Sequence, residues 1–106
     1  MVFRFLDQLY NKDLSKKKLA SIKKKLRRKK PKLRLFIITM PLGDEGLLEV
    51  YWYPELLQTY YQKEIREVYV VGVAMNREDA FQLISEIIAE HGMSKPIFSK
   101  KEFLKE

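Results

Sequence analysis

The densest chemistry along these 106 residues is cationic. Twelve Lys and Arg fall between Lys16 and Arg34, and no carboxylate stands anywhere from Leu14 to Arg34. Residues 1–34 hold 14 of the 21 basic side chains against Asp7 and Asp13 alone, a net charge of +12. Residues 35–106 hold the other seven against twelve acids, a net charge of −5. The overall +7 thus conceals a basic head on a mildly acidic body. Like charges four apart on a helix repel, as at Lys23 and Arg27, Lys24 and Arg28, and Lys25 and Lys29. A run of like charge with no internal relief favours a negative partner.

The spacing predicts a helix from Leu14 to Lys30, capped by Asp13 and stopped by Pro31. At ~100° per residue, Leu19, Ile22 and Leu26 form one narrow apolar stripe. Lys16, Lys17, Lys23, Lys24, Arg27, Arg28 and Lys30 occupy most of the remaining circumference, with Lys18 and Lys25. Such a helix docks by its stripe and turns a broad cationic face outward. A polyphosphate rewards that arrangement, because each neutralised phosphate releases condensed counterions. DNA or RNA is therefore the first partner expected, bound largely without sequence preference. Lys outnumbers Arg, and the run holds no zinc-finger spacing, helix-turn-helix pattern or interleaved aromatic. Other negative partners stay open: an anionic membrane surface with Phe3 and Phe5 beside it, the acidic body of the same molecule or another copy, or an acidic protein. The plainest alternative is a solvated face, since Lys is a good helix former.

Candidates for catalysis are few, and the chain is expected to be no enzyme and to hold no cofactor or metal. With no cysteine, disulfides, thiolate metal sites and cysteine nucleophiles are excluded, which suits a reducing, cytoplasmic setting. His91, the single histidine, falls at a helix end before Gly92, where a cap favoured by the helix dipole is expected. Its neighbour Glu90 points elsewhere on a helix, so the two make no ligand pair. Asp44 and Glu45, in the Pro41–Gly46 turn, lack the further oxygens of a calcium or magnesium loop. Gly72 precedes a helix whose first turn carries Glu78 and Asp79, and those carboxylates repel an incoming anion. It reads as room for a helix against the sheet, not as a nucleotide site.

A second cluster is aromatic. Tyr51, Trp52, Tyr53, Tyr60 and Tyr61 are too many for a core this small to bury entirely, and Tyr and Trp are enriched in interface hot spots. They define the alternative reading, a protein-interaction or homo-oligomerising surface.

The elements that must position these groups follow from period and punctuation. Val2–Tyr10 reads as an amphipathic helix with Val2, Phe5, Leu6 and Leu9 on one face. Leu33–Met40 and Leu47–Trp52 read as antiparallel strands around the Pro41–Gly46 turn. Pro54 opens a helix continuing over Glu55–Lys63. Glu67–Met75, apolar on both faces, reads as the central strand, reached from Leu47 onward by a right-handed parallel crossover. Asn76 caps a helix with Ala80, Phe81, Ile84, Ile87, Ile88 and His91 as its buried stripe and Gly92 beyond its end. Ile97 and Phe98 suggest a short edge strand, and Ser99 to Glu102 a capping box with Phe103 and Leu104 packing back.

The expected fold is thus α/β of α+β character: a mixed sheet of three or four strands, in the order α-α-β-β-α-β-α with a β-α tail. One domain is expected, a basic helical segment over 1–32 and an α/β body over 33–106. No apolar run approaches the roughly 18 residues that cross a bilayer, and Met1–Leu6 lacks the pattern of an export signal.

Overall fold

The computed structural model describes residues 1–42, 46–93 and 97–103, apart from the side chain of Tyr60. Asp44, Glu45 and Leu104, for which the sequence carries expectations, lie outside the described residues.

Phe3 and Phe5 are buried with Arg4 between them, because Val2–Tyr10 is a strand, β1, and not a helix. It runs parallel to β4 (Glu67–Ala74), with Phe3 opposite Val68 and Phe5 opposite Val70. The register then jumps, and Tyr10 faces Gly72. That irregularity sends the sequence neighbours Phe5 and Leu6 both into the core, where a regular strand alternates its faces. The slipped phase gives Val2, Phe5, Leu6 and Leu9 the spacing of a helix, which is why the helical expectation fails. The first 32 residues are accordingly no all-helical segment ahead of a body.

After β1 come α1 (Lys16–Arg27), β2 (Phe36–Thr39), β3 (Glu49–Trp52), α2 (Tyr53–Leu56), α3 (Thr59–Glu64), β4 and α4 (Arg77–His91), then a 3-10 turn at Lys100–Glu102. The strands form one mixed four-stranded sheet in the order β1-β4-β2-β3. β2 and β3 pair antiparallel as expected, with Phe36 opposite Trp52 and Thr39 opposite Glu49. β4 is central, and Val68, Val70, Val71 and Val73 are all fully buried. β2 is antiparallel to both β3 and β4, so the chain between β3 and β4 joins parallel strands that are not adjacent.

Several expected elements shift for local reasons. The helix over Glu55–Lys63 is broken, because Gln58 is extended and starts α3 afresh. Gln62 Nε2 donates to the Leu56 carbonyl at 2.9 Å, satisfying one end of α2. On α4, Asn76 caps through Asp79 N–H as expected, but the buried stripe is Ala80, Leu83 and Ile87. Phe81 is 54% exposed and His91 is exposed; the sheet selects the stripe one residue further round. Ile97 and Phe98 form no strand, although Phe98 is buried. The capping box at Ser99 and Glu102 is present, and Phe103 packs back to bridge Leu6.

Gly72 makes a close approach, but to a strand and not to a helix. A Cβ placed there meets the Tyr10 carbonyl oxygen at 3.0 Å and Tyr10 Cβ at 3.2 Å. Since Tyr10 is its pairing partner on β1, neither side can retreat without opening the sheet. Gly72→Val is expected to destabilise the fold by about 1–3 kcal/mol through overpacking, read as a lowered urea midpoint. An unchanged midpoint would show that β1 does not press on β4 there.

Candidate cationic interface

α1 is shorter than its sequence suggests and better anchored. Ser15, not Asp13, is the N-cap, and its hydroxyl accepts from Lys18 N–H at 3.0 Å. Asp13 instead takes a left-handed turn at φ 58°, and Asn11 Oδ1 accepts from Leu14 N–H beside it. At the other end Lys29 is left-handed, φ 52°. Lys29 N–H donates to Leu26 and Lys30 N–H to Lys25, the paired bonds of a Schellman ending. The helix therefore stops before Lys30 and does not wait for Pro31. Ile22 and Leu26 are buried, as the stripe requires, and Leu19 is half-buried.

The cations fall into two groups. Lys23 and Arg27 sit above the buried Phe5 ring, with Nζ and Cζ at 5.9 and 5.2 Å from its centroid. That cation–π contact fixes them at the rim of α1 over β1. Lys16, Lys17, Lys24, Arg28 and Lys30 are exposed. Among the described residues no carboxylate pairs with these five. Among the described residues, Lys12 pairs with Glu86, and Arg4 with Glu67 at 2.9 Å. The first pair raises the Lys12 pKa; the second holds the Glu67 carboxyl below its ordinary range.

The first turn of α1 carries Lys16, Lys17 and Lys18 and no acid. Cations at that end oppose the helix dipole, so the turn lacks a favourable partner charge. A cavity of about 470 Å³ lies between parts of α1 and β1, lined by Lys16, Leu19, Ala20 and Lys23 on one side and by Asp7, Gln8, Leu9 and Asn11 on the other.

The structure also assembles a polar group that sequence reasoning missed. The Tyr10 hydroxyl donates to Glu90 Oε2 at 3.1 Å and lies 2.8 Å from His91 Nε2. Phe98 packs its ring at a tilt, 4.9 Å from that of His91, and the group borders a cavity of about 560 Å³. Glu90 and His91, neighbours on α4, thus converge on one hydroxyl. Eighty residues separate the partners, so no local signal marks them. No set of three or more metal-ligating side chains gathers among the described residues.

Of the aromatic cluster, one side chain is turned fully inward. Tyr53 is fully buried against Phe3, which removes it from any interaction surface. Trp52 packs on Phe36 at 4.8 Å, and Tyr51 meets Tyr61 edge-on while donating its hydroxyl to Glu49. Tyr51, Trp52 and Tyr61 are half-buried.

Burial, then the bond to Glu90, pushes the Tyr10 phenol up to about 12, and burial pushes Tyr53 up to about 12. Tyr51 is raised as well, by burial and by its bond to Glu49. Unfolded tyrosines ionise near pH 10. These groups therefore contribute fully below about pH 10, and their contribution is lost as pH climbs toward about 12. A phenolate absorbance titration is expected to show them ionising only as the chain unfolds. Ionisation of every tyrosine near pH 10 in an intact fold would contradict this.

Comparison with protein-family models, with curated proteins and with solved structures finds no significant match. No helix among the described residues is long and apolar enough to cross a membrane.

Proposed function

We propose that this is a small, non-catalytic, cytoplasmic binding protein that holds a nucleic acid against α1, largely without regard to sequence. One observation carries the reading. Lys16, Lys17, Lys24, Arg28 and Lys30 are exposed around an anchored helix, and no carboxylate of the described residues pairs with them. Among the described residues, Glu86 pairs with Lys12 and Glu67 with Arg4, and these five cations are the ones the reading assigns to phosphate. Repulsion within α1 and the bare cations of its first turn are both relieved by phosphate.

The test is salt dependence. If about five to eight cations meet phosphates, log K on duplex DNA should fall against log salt with a slope of about −4.5 to −7. Binding strong at ~50 mM salt and collapsing as salt rises is the expected result. Absence of binding even at ~50 mM would remove the nucleic-acid reading.

A further inference from the structure

We infer that α1 enters the major groove of B-form duplex DNA, a narrower ligand than the nucleic-acid reading on which this rests. At about 100° per residue, Lys17, Lys24 and Arg28 run along the crest of α1, opposite the buried Ile22 and Leu26. Lys16 and Lys23 lie on one flank and Lys18 and Lys25 on the other, roughly 140–180° apart around the axis. A flat anionic surface meets one side of a cylinder, and a single strand tracks one row of cations. Either would leave the opposite flank unused. Two phosphate walls astride an inserted helix use both.

Dimensions select the groove. The B-form major groove is about 12 Å wide and admits a helix about 10–12 Å across, whereas the minor groove, about 6 Å wide, does not. The major groove of A-form RNA is too deep and narrow for side chains to read. The crest is also cut low where bases would sit. Between Lys17 and Lys24 stand only the exposed Ala20 and the half-buried Ser21, so the backbone can come close to base edges. Such small residues make undemanding base contacts, in keeping with weak sequence preference. Beside the Lys16 flank, Lys16 and Lys23 outnumber Asp7 around the cavity of about 470 Å³ over β1, which leaves that side cationic.

The test compares the full chain with two variants, Lys16→Gln with Lys23→Gln, and Lys18→Gln with Lys25→Gln. Each is titrated with salt on a mixed-sequence DNA duplex, the matching RNA duplex, single-stranded DNA and phosphatidylserine vesicles. On the DNA duplex both variants should flatten the salt slope by about 1.8, two contacts at about 0.9 each. The unaltered chain should hold the DNA duplex at least about tenfold tighter than any other probe, a difference of about 1.4 kcal/mol. If one variant leaves the slope unchanged, or the RNA duplex or single-stranded DNA binds as tightly, the groove assignment is overturned while the nucleic-acid reading stands; vesicles bound as tightly overturn both. Binding to none of the four removes both.

Discussion

The triple variant Lys17→Glu, Lys24→Glu, Arg28→Glu is expected to lose at least about a hundredfold in affinity for duplex DNA at physiological salt. Each cation held in the field of the duplex contributes roughly 0.7 log units near 0.15 M salt, whether it faces base edges or phosphates, so three lost cations supply about two, and reversal adds repulsion. The fold should survive. All three side chains are exposed, and Lys17→Glu places an acid in the first turn, where the helix dipole favours it. Circular dichroism therefore separates loss of binding from loss of structure. Affinity within about threefold of the unaltered chain would show that the crest of α1 does not face the duplex.

Leu26→Ala is expected to cost about 2–5 kcal/mol, because Leu26 is fully buried beneath α1 and its removal leaves a cavity. Against a typical domain stability of about 5–15 kcal/mol, the urea midpoint should fall far. The two predictions are linked through the scaffold. The cations are useful only while Leu26 and Ile22 hold α1 on β1, so the folded fraction of Leu26→Ala should still bind, and total binding should track folding. A loss under about 1 kcal/mol would mean that α1 is not seated as described.

How much of this was legible depends on whether the signal was local. α1 and its buried stripe follow from period alone, since Leu19, Ile22 and Leu26 leave no other side to bury. β4 follows from an unbroken apolar run, and the hairpin of β2 and β3 from the turn residues between them. β1 does not follow, because a register jump between Phe5 and Tyr10 imitates helical spacing. The alternation of Phe3 and Phe5 about Arg4 was the signal to weigh. On α4, two apolar stripes compete, and only contact with the sheet favours Leu83 over Phe81. The N-cap was open to a two-residue error: Ser15 and Asp13 are both good N-caps, and the left-handed Asp13 decides between them. The meeting of Tyr10 with Glu90 and His91 is tertiary and was beyond reach.

The lysines themselves provide the most direct reading. Acetylation of the full chain, with mass spectrometry at each site, should be compared with and without a saturating DNA duplex at low salt. Lys17, Lys24 and Lys25 on α1 should be shielded, while the exposed Lys63 and Lys101, remote from α1 in sequence, keep their reactivity. Equal labelling of α1 in both samples, or protection centred on Lys63 and Lys101, would place the contact elsewhere and contradict the assignment of this helix.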